Sequence, residues 1–194
     1  MKKILAIILV LCTFTCCLAS CGKGEDTVTL QKNTWFTAED LGFYMLEDLP
    51  AISEVDYLTQ NDGVVYAKMS DEQLENYANE VFEYLKGQEF KHLGTRGDWV
   101  NNFIADYCYY FKAVDTLEAC IVNEYTPFEL EYELTYIFVY SDGTVDKDGN
   151  VVFNIIRIDK EQDPYTIKNG DEDFECNVTI VFYHGKEPHV SYKL

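Results

Sequence analysis

The chain has 194 residues, of which 47% are hydrophobic, 15% aromatic and 25% charged. That suits one domain with its own core and excludes a disordered chain, since this much aliphatic and aromatic surface must be buried. The formal net charge of −19 repels phosphate backbones and anionic headgroups. It excludes nucleic acid and an electrostatically held membrane surface as partners, and favours cations, basic partners or plain solubility.

The chain opens on Met1-Lys2-Lys3, continues with the apolar run ILAIILVL over residues 4–11, and turns small and polar over residues 12–20. A positive start, an apolar stretch of about 7–15 residues and small residues after it make a secretory signal helix. Residues 4–22 are uncharged, close to the ~20 that span a bilayer, but their second half is too polar for a span. Leu18-Ala19-Ser20-Cys21 resembles the lipobox of bacterial lipoprotein precursors, with Leu three places before the cysteine and small residues between. The resemblance implies cleavage between Ser20 and Cys21 and diacylation of Cys21, which becomes the new N-terminus. Cys16 and Cys17 lack the leucine, and Cys12 follows the bulky Val10 and Leu11. Without residues 1–20, 13 basic residues face 34 acidic ones, a net of −21. The polar stretch GKGEDTVTLQKN, residues 22–33, reads as a tether. The expected organisation is a signal peptide over 1–20, a flexible tether over 21–34 and a single domain over 35–194.

Within the domain, Thr37 with Asp40 makes a capping box for a short helix reaching to about Met45. Asn61-Asp62-Gly63 is a turn, and residues 64–69 (VVYAKM) read as a strand. Ser70 with Gln73 is a second capping box. Leu74, Tyr77, Val81, Phe82 and Leu85 follow at helical spacing and Gly87 stops the run, which predicts a helix over 71–86. Trp99, Phe103, Tyr107 and Tyr110 recur at spacings of three and four, which predicts a helix over 98–111 against the strand propensity of YCYYF. From Phe128 the period changes to two, with Leu130, Tyr132, Leu134, Tyr136, Phe138 and Tyr140 alternating with polar residues. Further strands are expected over 151–158, 176–184 and 189–194, with short turns between them. The sum is an α+β fold: helices packed on an antiparallel meander sheet of about four to five strands, after an N-terminal signal helix. Trp35, Leu49-Pro50 and this order of elements resemble uncharacterised lipoproteins of Gram-positive bacteria, a group that implies no particular activity.

Asp142, Asp146, Asp148 and Asn150 share a loop in an acidic protein, which suggests calcium. Aligning Gly149 with the invariant glycine of an EF-hand loop puts Thr144 and Ile155 where the first and last ligands belong. The set reads better as a hairpin loop with Asp and Gly as turn formers. Glu129, Glu131 and Glu133 stand about 6.6 Å apart on one strand face, at the short end of the spacing of inverting glycosidases, but adjacent like charges on a strand mark its solvent side. His184 and His189 flank a turn and with Cys176 would make a soft-metal set lacking a close further ligand; His92 stands apart. With Cys21 acylated, Cys108, Cys120 and Cys176 remain, and Cys108 with Cys120 is the disulfide that proximity favours. No GxSxG, phosphate-binding loop or dinucleotide fingerprint occurs.

The reading is therefore a lipid-anchored extracytoplasmic module of the cell membrane that binds a protein, peptide or cell-wall ligand, with no cofactor and no catalytic residues singled out. The alternatives are a small extracellular hydrolase whose site assembles only in three dimensions, and a structural subunit of an envelope assembly.

Overall fold

A computed structural model describes residues 30–42, 44–60, 63–96, 109–122, 132–184 and 190–191. The expected signal, Ser20, Cys21 and the first part of the tether lie outside these residues. Strand β1 (Leu30–Lys32) falls within the stretch expected as tether. It is followed by α1 (Ala38–Gly42), β2 (Tyr57–Gln60), β3 (Val64–Ala67), α2 (Asp71–Gly87), β4 (His92–Arg96), β5 (Tyr109–Ala113), a 3-10 turn (Leu117–Cys120), β6 (Tyr132–Ser141), β7 (Asn154–Asn169), β8 (Glu172–His184) and β9 (Val190–Ser191). The strands lie side by side in the order β1-β2-β3-β8-β7-β6-β4-β5-β9. Every pairing is antiparallel except the last, the short parallel contact of β9 with β5.

This corrects the expected fold class. The described chain is mostly sheet, with eight strands in one antiparallel sheet and two α-helices, not helices on a meander of four or five strands. Three causes account for the difference. β1, β2 and β4 are too short to show a period. Tyr109–Phe111, the end of the helix expected over 98–111, belong to strand Tyr109–Ala113 instead, because the aromatic residues favour a pleated ladder and β4 supplies the pairing partner; residues 98–108 lie outside the description. β7 runs eleven residues past Ile158 through a polar stretch that carries no hydrophobic alternation. The last strand is not a meander neighbour of β8 either, since β9 pairs with β5.

Both helices read from capping residues start where expected; the first ends at Gly42, short of the expected Met45, and the second runs to Gly87. At α1, Thr37 N–H donates to Asp40 Oδ2 at 2.8 Å and Asp40 N–H donates to Thr37 Oγ1 at 3.2 Å. At α2, Gln73 N–H donates to Ser70 Oγ and Ser70 N–H donates to Gln73 Oε1, so both orphan donors are satisfied. The apolar stripe of α2, Leu74, Tyr77, Ala78, Val81, Phe82 and Leu85, is fully buried. It packs on the first face of the sheet, against Tyr136, Phe138 and Tyr140 of β6, Ile156 and Ile158 of β7, and Val178 and Ile180 of β8. The rings of Phe82 and Phe138 are 6.4 Å apart. Lys160 of β7 bonds the carboxylates of Asp71, in the first turn of α2, and of Glu133, at 2.7 Å, and so pins the helix start to the sheet. Gly94 of β4 leaves no room for a side chain against β5: a Cβ there would overlap the Lys112 carbonyl and the Phe111 ring.

The second face carries a smaller apolar cluster of Ile137, Val139, Phe153 and Ile155. Residues 136–140 of β6 are thus buried on both sides, as in a strand covered on both faces.

Phe82→Ala removes a buried ring at the centre of the helix contact and is expected to cost about 3–5 kcal/mol. Ser70→Ala removes only a cap and is expected to cost about 1 kcal/mol. Urea unfolding measures both, and equal small costs for the two would contradict this packing.

Candidate functional site

The register of the central strands builds a polar row across the second face. Leu58 of β2, Tyr66 of β3, Thr179 of β8, Asp159 of β7 and Thr135 of β6 stand opposite one another in that order. The next row brings Gln60, Val64, Val181, Arg157 and Ile137 together. Arg157 and Asp159, two apart on β7, therefore share a face, and Arg157 Nε donates to Asp159 Oδ1 at 2.8 Å and to Oδ2 at 2.7 Å. Thr135 Oγ1 donates to Asp159 Oδ1 at 2.8 Å. The side chains are 14% and 5% exposed for Arg157 and Asp159, so this is a buried ion pair whose charges are held by specific bonds. Tyr66 OH donates to Gln60 Oε1 at 3.4 Å, and Tyr165 OH bonds Thr179 Oγ1. Two residues beyond Asp159 on β7, burial and the neighbouring Asp159 charge push the Glu161 carboxyl above the usual carboxylate range, with Arg157 opposing.

Beyond this row the same two strands leave the body of the sheet. β6 makes its last pairing with β7 at Glu161, and β3 makes its last with β8 at Val178. The side chain of Asn177 closes the β3 end by accepting from Met69 N–H and donating to Met69 O, both at 2.9 Å, in the manner of a strand. Between Lys160 and Tyr165 the register shifts: Lys160 faces Val178 and Tyr165 faces Cys176. Three extra residues of β7 are accommodated there, with Pro164 where no ladder donor is needed. After the shift, β7 and β8 continue as a two-stranded ribbon, Tyr165 to Asn169 against Glu172 to Cys176. Gly170 turns it with a φ of +64°, which suits the first central place of a two-residue hairpin turn. One ribbon face holds Tyr165, Ile167, Phe174 and Cys176. The other holds Thr166, Lys168, Asp173 and Glu175.

The residues singled out from sequence are distributed differently. In the loop between β6 and β7, Asp146 Oδ1 accepts from Asp148 N–H at 2.8 Å and Asn150 N–H at 2.9 Å, and Asp142 Oδ1 accepts from Thr144 N–H at 2.7 Å. These bonds hold both carboxyls below their usual range, led at Asp146 by the Asn150 amide and at Asp142 by Thr144. Val145 and Val151 bridge across the loop, so the four residues shape a hairpin. Among the described residues no three His, Cys, Asp or Glu side chains are placed to share a metal ion.

Glu133 sits at a bulge where β6 shifts register, and it bonds Lys160; Glu129 and Glu131 lie outside the described residues. His92 packs its ring 5.7 Å from those of Phe111 and Phe153. Burial, helped by Lys91, holds that imidazole below its usual range, so it serves as an aromatic ring. The side chains of His184 and His189 lie outside the described residues, as does Cys108. Cys120 and Cys176 are buried free thiols. Each donates to a main-chain carbonyl, Cys120 to Thr116 O at 3.8 Å and Cys176 to Tyr165 O at 3.7 Å. Burial pushes Cys120 up to about 12 and raises Cys176 as well. Both stay protonated at neutral pH, which suits packing and not nucleophilic attack.

Sequence reasoning missed the Arg157–Asp159 pair and the ribbon. The first had a signal, two opposite charges at i and i+2 inside VVFNIIRIDK, where one strand face had to be buried. The second was masked by Pro164, which argues against a continuing strand.

Comparison of the chain with protein-family models, with curated proteins and with solved structures finds no match in any of the three.

Removing one partner of the buried pair strands the other. Asp159→Ala is expected to cost about 3–5 kcal/mol in urea unfolding, while Arg157→Met with Asp159→Leu costs far less than the single change. Equal losses in the single and double variants would show that the pair is not held as described.

Proposed function

We propose that the chain is a lipid-anchored lipoprotein of the cell membrane, facing out of the cytoplasm and presenting its sheet domain as a binding module. The anchor reading rests on Leu18-Ala19-Ser20-Cys21, whose cysteine would carry a diacylglyceryl thioether. Each buried methylene contributes about 0.8 kcal/mol, so two acyl chains hold a protein stably where one is marginal. The observation that carries the binding reading is the β7–β8 ribbon. A pair of strands that leaves its sheet, with side chains half-exposed on one face and charged on the other, supports recognition better than it supports packing. The thiols point the same way, since Cys120 and Cys176 are buried against carbonyls and protonated.

Cys21→Ser tests the anchor. The variant is expected to move from the membrane to the soluble fraction and to lose the mass of the lipid. A variant that stays fully membrane-bound with an unchanged N-terminal mass would refute the anchor. Crosslinking on living cells followed by mass spectrometry tests the binding reading: a partner should be recovered, and turnover by the purified chain with no partner would overturn it.

A further inference from the structure

We infer that the β7–β8 ribbon is the docking element, and that its partner is a cationic polypeptide segment carrying some apolar side chains. This rests on the binding reading above and names the surface and the chemistry of its partner.

The first support is shape. From Tyr165 to Asn169 the ribbon extends about 13 Å at ~3.3 Å per residue, and among the described residues no strand covers either of its outer edges. The second is the apolar face. Ile167 stands opposite Phe174, and Tyr165 opposite the buried Cys176. Tyr165, Ile167 and Phe174 are half-buried: shielded by one another across the pair, and still open to a partner. Such cross-strand pairs hold an isolated ribbon together, and the surface left over is an aromatic and aliphatic anchor of the kind that dominates binding energy.

The third support is charge, and it selects the occupant. Residues 161–175 carry six carboxylates, at Glu161, Asp163, Asp171, Glu172, Asp173 and Glu175, against Lys168 alone. Lys168 is paired with Asp173, so the ribbon adds no free cation. Lys68 of the body meets Glu175 at 2.7 Å across exposed surface, a contact of small energy. A net of −5 on so small an element repels a second copy of itself, an anionic lipid surface and nucleic acid alike. A lysine- and arginine-rich segment is attracted over the same distance, and its apolar residues find Ile167, Tyr165 and Phe174 inside the acidic rim. The rim would set the on-rate and the rejection of wrong partners, and the apolar face the residence time.

The test uses the full chain in a nonionic detergent and a fluorescein-labelled 12-residue peptide of lysines with two tyrosines, read by anisotropy at low and physiological salt. Two triple charge reversals are compared. Asp171→Lys with Glu172→Lys and Asp173→Lys changes the ribbon tip. Glu75→Lys with Glu80→Lys and Glu83→Lys changes the exposed face of α2 by the same total charge. The ribbon triple is expected to weaken binding about tenfold or more and the helix triple less than about threefold, since screening confines the effect of exposed charge to its neighbourhood. Phe174→Ser, with its melting temperature checked, is expected to weaken binding about fivefold at either salt. Equal losses in the two triples, or none in the ribbon triple, would overturn the inference. Recovery of an unchanged cellular partner by crosslinking the ribbon triple would also overturn it, while leaving the binding reading intact.

Discussion

Burial of the central stretches of β6 and β7 on both faces is the constraint on which the rest depends. On the first face, Phe138, Ile156, Ile158, Val178 and Ile180 accept the apolar stripe of α2. On the second, Ile137, Val139, Phe153 and Ile155 form a cluster of their own, and the same face must also take in Asp159 and Arg157. A carboxylate placed there without partners would be untenable. The two bonds from Arg157 Nε and the one from Thr135 make it acceptable, and the Thr135 bond requires β6 and β7 to keep the register that puts Thr135 opposite Asp159. A slip of one residue would turn the ion pair into the helix contact and the isoleucines away from it. The ion pair adds little net stability against an apolar substitute; its physical effect is to penalise the wrong register.

The three-residue insertion after Lys160 lets one pair of strands do two things. Before it, odd residues of β7 face odd residues of β8; after it, odd residues face even ones. The shift frees the ribbon from the body's division into faces and lets Tyr165 and Ile167 assemble with Phe174 and Cys176 on a surface of their own. Pro164 stands within the shift and cannot donate to a ladder, and Asn177 ends the pairing with β3 by giving its amide to Met69. Both ends of the body's pairing are thus closed by named side chains, and acidic residues at open edges oppose edge-to-edge pairing of like-charged copies.

The parts of this fold that sequence made legible are those with a local cause. Ser70 and Gln73 mark the start of α2 and Leu74 to Leu85 its buried stripe, because capping and helical spacing are decided within a few residues. The alternation in β6 showed a strand, yet it hid that Thr135, Ile137 and Val139 are buried too, since burial of the second face is decided by distant chain. Tyr109–Phe111 read as the end of a helix for a related reason: spacing favoured a helix and residue type a strand, and the pairing with β4, a distant segment, decides between them. For the candidate site, Arg157 and Asp159 were visible as charges but their mutual bond depends on the strand being covered. The ribbon depends on a register shift that no local pattern announces. The anchor proposed at Cys21, by contrast, rests on sequence alone, on a motif that needs no tertiary structure.

β7 and β8 are one pair of strands with two halves, one packed in the core and one open to solvent on its edges. Native-state hydrogen exchange measures this directly. Amides of Ile156, Ile158 and Ile180 should exchange only through global unfolding, while those of Ile167 and Phe174 exchange at least about a hundredfold faster, as expected of an element that opens locally. Equal protection along the whole length of both strands would contradict the account.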